Sequence, residues 1–305
     1  MLRFLLRRTL YGLVVLWVVA TLTFVLLRVL PGGPFDSERR LPPEVMVNIE
    51  SKYHLNEPLP KQYSRYLTAL LKADLGPSFK FIDRDVKDII ADTFPVSALL
   101  GVLALSFALA VSLPLGLLAA TFRNRWIDRA CVFLATLGIS LPNFVLGALL
   151  IWIFSLKLGW LQAARWGQPS SAVLPMITLG AMPCAQLTYL LRSSLLETLN
   201  EDFIRTARAK GLRESVVLFK HAVRNSLIPV LTLLGPLFAI VVAGSFVVEF
   251  VFAIPGMGRF FITAVTDRDY PLIMGVTVVY TAILVCANLM VDILYSVVDP
   301  RMRAH

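Results

Sequence analysis

Runs of apolar residues too long for most soluble helices constrain this chain more than any other feature. A helix rises about 1.5 Å per residue, so about 20 mainly apolar residues cross the hydrocarbon core of a bilayer. Six windows have that length: 9–30, 96–121, 130–156, 172–191, 227–248 and 272–298. The fourth is the weakest, because Pro175 and Pro183 interrupt it. Of the 305 residues, 57% are hydrophobic and 16% charged, whereas soluble domains run near a quarter charged. The expected fold class is an all-α integral membrane protein with six transmembrane helices.

Charge sets the expected orientation. The first window follows Arg3, Arg7 and Arg8. Its apolar run exceeds a signal-peptide core, and "LRVLPGGPF" offers no small-residue cleavage site, so a retained anchor is expected. With the N-terminus inside, segments 1–8, 121–129, 192–226 and 299–305 hold 15 Lys and Arg, and the short outer loops 156–171 and 250–271 hold 4. That imbalance matches the enrichment of Lys and Arg in cytoplasmic loops, and it places both termini in the cytoplasm. It also accounts for the net charge of +9 without a nucleic-acid partner, since no basic face interleaved with aromatics lies outside the apolar spans. Cys131, Cys184 and Cys286 sit in or beside apolar runs and read as small buried hydrophobes. His54, His221 and His305 are too scattered to suggest a metal site.

The expected division of the chain is 1–30, the N-terminal end and first span; 31–95, a polar external insertion; 96–298, a five-span core; and 299–305, a cytoplasmic tail. The insertion carries 9 cations and 10 acids, too balanced to steer topology. Three short helices are expected within it. "PPEVMVNIESKYHL" has Pro43 and Glu44 at a helix start. "LPKQYSRYLTALLKADLG" sets Tyr63, Tyr66, Leu67, Leu70 and Leu71 on one face before Gly76. "RDVKDIIADTFP" gives a third helix ending near Pro95. The insertion serves either as a cap over the spans or as a docking face for an external partner. Later, Pro255, Gly256 and Gly258 break the helix in "EFVFAIPGMGRFFITAVTDRDYP", and a short helix follows near the outer face.

The segment from about 198 to 226 is unlike the rest. Between Phe203 and Val230 it holds Arg205, Arg208, Lys210, Arg213, Lys220 and Arg224 against one acid, Glu214. "FIRTARAK" has high helix propensity, Gly211 supplies a left-handed stop with Arg208 and Lys210 before it, and Glu214 suits the start of a second helix. Val216, Phe219, Val223 and Leu227 then recur at helical spacing. The expectation is helix, Gly elbow, helix on the cytoplasmic side. The small residues Ala207, Ala209 and Gly211 would let a partner's groove approach closely. The chain contains no G-x-x-x-x-G-K-[ST] phosphate loop, no H-E-x-x-H and no G-x-S-x-G. If energy is used, another polypeptide must supply it.

"FIRTARAKGL" followed by "KHAVRNSLIPV" resembles the coupling motif of type I ATP-binding-cassette import permeases. The generic motif is Glu-Ala-Ala, three residues, then Gly; Arg205, Thr206, Ala207 and Gly211 occupy those positions, and Pro229 lies later than usual. Both departures resemble the oligopeptide/dipeptide/nickel branch. "MLRFLLRRTL", "DLGPSFK", "FPVSALLG", "IPGMGRFF" with "RDYP", and "DILYSVVDPRMR" extend the likeness along nearly the whole chain. The resemblance implies an ATPase-coupling segment of Phe203, Ile204, Arg205, Thr206, Ala207, Arg208, Ala209, Lys210 and Gly211. It further implies an oligopeptide importer of the bacterial inner membrane, working by alternating access. Its partners would be a second similar permease subunit, two ATPase subunits that hold ATP and Mg, an external peptide-binding protein and the lipid bilayer. No cofactor belongs to this chain, and it is not expected to be an enzyme. Alternatives are a dipeptide or nickel permease, or a non-transporting membrane receptor or scaffold.

Charges inside spans are candidates for function. Arg28 and Glu249 lie near outer ends, where long side chains reach water. Asp292, Tyr295 and Asp299 share a helix face near the cytoplasmic end of the sixth span. They form a possible intramembrane clamp on the basic segment, through Arg192 or Arg224.

Overall fold

The computed structural model describes residues 2–31, 33–35, 51, 53–81, 83–163, 166–243 and 246–298. The described residues form helices: α1 (Leu2–Val29), α2 (Leu59–Leu71), α3 (Val86–Thr121), α4 (Trp126–Ser140), α5 (Asn143–Leu150), α6 (Pro169–Thr198), α7 (Asp202–Ala209), α8 (Glu214–Val216), α9 (Arg224–Ala243), α10 (Phe246–Val251), α11 (Met257–Asp267) and α12 (Tyr270–Val298). Wide π-helical turns continue α5 over Ile151–Lys157 and join α8 to α9 over Val217–Val223.

Five stretches are long and apolar enough to cross a membrane: Leu6–Val29, Val86–Thr121, Pro169–Thr198, Glu214–Phe238 and Tyr270–Met290. Trp126–Ser140 and Asn143–Lys157 make a sixth if counted together, but they meet at a bend of 109°. The third window is therefore not a straight rod. Pro142 explains the break. A residue before proline is pushed out of the α region, and Leu141 is extended at φ −92°, ψ 122°. Pro142 then caps the start of α5.

The weak fourth window forms the most buried of these spans. Pro175, Thr178, Gly180, Pro183 and Thr188 are all buried in α6. A helix enclosed by protein has no need of a uniformly oily surface, which is why its hydropathy is low.

The chain packs as two compact units, one of Val96–Pro255 with Leu284–His305, the other of Leu2–Pro95 with Gly256–Ile283. In the first, clusters follow one another along α6. Leu174 and Leu179 pack with Leu100, Ala104 and Phe252. Leu187 and Leu191 pack with Ala108, Val230 and Leu237. Leu195 packs with Ala120, Ile204, Ala207, Val217 and Ala222. Two glycines set the helix approach. A Cβ on Gly180 would lie 2.6 Å from the Ala104 carbonyl oxygen, and one on Gly138 would lie 2.6 Å from that of Ala181. Glu249, expected to reach water, is fully buried in α10.

The second unit contains α1, α2, the first part of α3, α11 and the first half of α12. Leu59–Leu71 is helical as expected, with Tyr63 and Tyr66 on the Phe24 ring of α1 at centroid distances of 5.2 and 5.8 Å. Burial, reinforced by Tyr63, pushes the Tyr66 phenol up to about 12. The left-handed residue that ends α2 is Ala73, at φ 56°, rather than Gly76. Asp74 and Ala73 donate back to Ala69 and Leu70, closing the helix. The third insertion helix is not separate: α3 starts at Val86 and runs through Pro95 for 36 residues. Val86, Ile89 and Ile90 are buried before the apolar window begins, and that packing carries the helix across the proline. The first expected insertion helix lies mostly outside the described residues. The short helix after Pro255 is present as α11, with Gly258 inside it rather than breaking it.

Candidate functional site

The basic segment folds into the elbow its residues favour. α6 ends at Thr198, a turn follows, and α7 runs from Asp202 to Ala209 with an acid in its first turn and Arg208 in its last. Both charges suit the helix dipole. Gly211 is left-handed at φ 74°. Its N–H donates to the Arg208 carbonyl at 2.9 Å, and Leu212 N–H donates to Ala207 at 3.4 Å. That pair of bonds is a Schellman closure, which needs the left-handed residue glycine supplies at least cost. α8 starts at Glu214 as expected.

Two contacts stiffen the elbow. Arg208 Nε donates to Glu214 Oε2 at 3.1 Å and Nη2 donates to Oε1 at 2.6 Å, so one ion pair spans the turn. Ser226 Oγ donates to Thr198 Oγ1 at 3.1 Å, tying the start of α9 to the end of α6. Sequence reading recognised Glu214 as a helix start but not as the partner of Arg208.

The faces of the elbow differ from expectation. Ile204 and Ala207 are buried against Leu195, Val217 and Ala222. The small side chain of Ala207 therefore lies against the chain's own helices. Phe203, Arg205, Thr206, Arg208, Ala209, Lys210 and Gly211 are exposed. The stripe of Val216, Phe219, Val223 and Leu227 is packed only in its second half, where Val223 and Leu227 lie against the core clusters. Val217, Ala222 and Ser226 are buried, while Val216 and Phe219 are exposed. The π-helical turn changes the period: Val217 to Ala222 is a step of five residues, one more than an α-helix would use. Phe203, Leu212, Val216 and Phe219 are thus left exposed along the same segment as the exposed Arg205, Lys210, Arg213 and Lys220.

Arg192 binds Asp128 in α4, with Nε to Oδ1 at 2.7 Å and Nη2 to Oδ2 at 2.8 Å. Asp128 also accepts from the Asn124 N–H at 2.9 Å. Arg192 thus spends its fork on a residue that sequence reading passed over. Asp299 and the side chains of Asp292 and Tyr295 lie outside the described residues. Arg224 is exposed. No group of His, Cys, Asp and Glu suited to a metal ion occurs among the described residues.

These features define a class: a helical membrane protein whose spans are joined by a stiff, solvent-facing elbow, the architecture of a permease subunit. Comparison with known proteins gives the family. The family described as "Binding-protein-dependent transport system inner membrane component" matches residues 112–304, and its N-terminal companion matches residues 1–101. The chain belongs to this family. It is 45% identical to the oligopeptide transport system permease protein OppB of Haemophilus influenzae, over 99% of this chain and 100% of that one. It is 45% identical to the dipeptide transport system permease protein DppB of Bacillus subtilis, over 100% and 99%. Against OppB of Escherichia coli K12 the identity is 42%, over 99% and 100%. A crystal structure of an amino acid ABC transporter with histidines shares the fold at TM-score 0.56 and 15% identity, covering 68% of this chain and 93% of that one.

Proposed function

We propose that this chain is the translocating subunit of an ATP-driven importer that moves oligopeptides across the bacterial inner membrane by alternating access. Full-length identity to permeases named for oligopeptide transport supports the substrate class. The chain has no phosphate loop, so ATP and Mg are held by two separate ATPase subunits and the chain is not itself an enzyme. A second, similar permease subunit completes the pathway, and an external binding protein delivers peptide to the side bearing the insertion. Both termini and the elbow lie in the cytoplasm, on the positive-inside argument.

One observation carries the coupling role. The elbow is packed through Ile204 and Ala207, and exposes Phe203 and Phe219 along a segment rich in exposed cations. Large apolar side chains left exposed beside cations suit a surface that a partner covers. A hairpin fixed at both ends to spans transmits any displacement of a partner seated there. Phe203, Arg205, Ala209 and Lys210 form the docking face, while Ala207 holds the elbow to its own spans.

The test is reconstitution of the whole transporter in vesicles with labelled peptide. Uptake should require ATP. Cysteine at Phe203 or Ala209 should cross-link to an ATPase subunit, and cysteine at Ala207 should not. ATP-independent entry, or binding without ATP stimulation or solute movement, would leave a receptor or scaffold instead. Equal identity to a dipeptide permease keeps that substrate as a second reading. Competition by unlabelled dipeptides against unlabelled longer peptides separates the two.

A further inference from the structure

α6 carries one face that its own packing does not use. Its core side is apolar, with Leu187, Leu191 and Leu195 buried. Opposite them, Met182, Gln186, Tyr189, Ser193 and Glu197 recur at steps of three and four residues, the spacing of a single helix face. Met182, Ser193 and Glu197 are exposed, and Gln186 and Tyr189 are half-buried. Gln186 stands about 18 Å along the axis from the end of α6 at Thr198, well inside a hydrocarbon core about 30 Å thick. Tyr189 is fixed at the edge of this face. Its hydroxyl lies 2.5 Å from Thr136 Oγ1 of α4 and 3.3 Å from the Val132 carbonyl oxygen, to which it donates.

Three kinds of neighbour can cover such a face: lipid, another helix, or a water-filled path with its cargo. Lipid does not suit it. α1 shows what this chain turns toward hydrocarbon, exposing Leu10, Leu13, Val14, Trp17 and Leu22. An amide and two hydroxyls facing lipid tails lose their hydrogen bonds to water and gain none in return. A closely packed helix does not suit it either. Where α6 meets other helices it does so over small residues, Gly180 against the Ala104 carbonyl and Ala181 against Gly138. Spanning helices approach one another over such residues. Met182, Gln186 and Tyr189 are long side chains that hold a neighbouring helix away.

The chemistry of the face fits a peptide. It carries no charge from Met182 to Ser193, and the nearby Arg192 is engaged by Asp128. A glutamine amide and a hydroxyl each offer both a donor and an acceptor, as a peptide backbone does. Methionine adapts to apolar groups of many shapes. We propose that this face lines the substrate path, with Gln186 and Tyr189 hydrogen-bonding the backbone of a passing peptide and Met182 packing against its side chains. The inference rests on the importer reading above. Contacts to backbone are indifferent to sequence, so such a path accepts peptides of differing composition.

The test uses the full transporter complex in vesicles. Cys131, Cys184 and Cys286 are replaced by alanine, and one cysteine is introduced at Met182, Gln186 or Ser193. Each should react with a hydrophilic maleimide in the nucleotide-free complex or in one held by a non-hydrolysable ATP analogue, and saturating peptide should slow that reaction severalfold. Cysteine at Leu22, on the lipid side of α1, should stay unreactive. A peptide bearing a photoreactive side chain should form adducts within residues 182–193. Gln186→Leu should raise the KM for peptide uptake about tenfold, the loss of about one hydrogen bond to cargo. If Gln186→Leu fails to assemble, the cysteines at Met182 and Ser193 decide. Reactivity as low as at Leu22 overturns the proposal, because the face then meets lipid. Cross-linking of these cysteines to the second permease subunit, without protection by peptide, also overturns it. So does peptide import that leaves no adduct on α6. Absence of any uptake by the unmodified complex is a different result: it overturns the importer reading, and this inference with it.

Discussion

Arg192 in α6 holds Asp128 at the start of α4 in a two-pronged ion pair, at 2.7 and 2.8 Å. Asp128 is buried and the Arg192 side chain is 26% exposed, so the pair is largely withdrawn from water. Removing one partner of such a pair strands the other charge. Asp128→Ala should therefore destabilise the protein by about 3 kcal/mol, and Arg192→Met by somewhat less because Asp128 keeps the Asn124 N–H. The double variant should cost less than the two single losses together. Unfolding in mixed detergent micelles, read by tryptophan fluorescence, supplies the cycle, and strict additivity would rule out the coupling.

Gly180→Ala sets two effects of opposite sign against each other. Alanine gains about 1 kcal/mol in helix propensity. The new Cβ would meet the Ala104 carbonyl oxygen at 2.6 Å and Phe107 Cδ1 at 2.8 Å. A backbone oxygen cannot swing aside, so α3 and α6 must separate, and overpacking of this kind costs about 1–3 kcal/mol. Net destabilisation of up to about 2 kcal/mol is expected in the same unfolding measurement.

Gly211→Ala tests the elbow without a steric clash, because a Cβ there meets nothing within 4 Å. Only the left-handed backbone is strained, at about 1 kcal/mol. Gly211→Asn should cost less, since asparagine visits that region more readily. In reconstituted transporter the order of peptide uptake should be wild type, Asn, Ala, with basal ATP hydrolysis retained. Equal uptake by all three would show that elbow geometry does not limit coupling.

How much of this was legible in the sequence depended on the range of the interaction. The α2 helix, the Gly211 stop and the Glu214 start are local, each set by neighbours within about one turn, and they were read correctly. The run from Val86 through Pro95 misled because proline's local cost was weighed without the buried contacts of Val86, Ile89 and Ile90. The bend at Pro142 had its signal in "SLPNF", yet the apolar run on both sides masked it. The exposure of Phe219 follows from a π-helical step, which no residue pattern announces, whereas Ala207 turns inward on the same face of α7 as Ile204, three residues before it. Asp128 as the mate of Arg192 needed the crossing of α4 and α6, because Asp292 is an equally plausible acid from sequence alone.

Glu57 gives the insertion a pH response. Partial burial pushes its carboxyl up, but a hydrogen bond from Lys61 and the charges of Arg65, Lys61 and His54 outweigh that and hold it below the ordinary 4.5. The folded value lies below the unfolded one, so this contribution is complete above the unfolded value and disappears as pH falls through the folded value. Amide exchange over residues 54–66 should accelerate as pH drops below about 4.5, beyond the intrinsic rate change. Glu57→Gln should remove that pH dependence while leaving the Arg28–Gln62 hydrogen bond. If the variant and wild type respond alike, Glu57 is not the titrating group.

Asp269 is fully buried and binds the loop before α3 to the start of α12. Its carboxylate accepts from the Ser78 hydroxyl, from Phe79 N–H at 3.2 Å and from Lys80 N–H at 3.4 Å. It also accepts from Leu272 N–H at 3.2 Å, three residues into the helix, which is the geometry of an N-cap. Loss of the cap alone costs about 1 kcal/mol, and each bond to a charged acceptor contributes about 1.5–3 kcal/mol, so Asp269→Ala should destabilise by about 3 kcal/mol or more. Asp269→Asn keeps one accepting oxygen but turns an amide N–H₂ toward backbone donors, and should recover only part of the loss. Ser78→Ala, which leaves the cap intact, should cost about 1.5 kcal/mol. Hydrogen exchange separates a local latch from general weakening. In Asp269→Ala the amides of Phe79, Lys80 and Phe81 should lose protection before those of α3 and α12 do, and simultaneous loss across all three would show that Asp269 supports the unit as a whole.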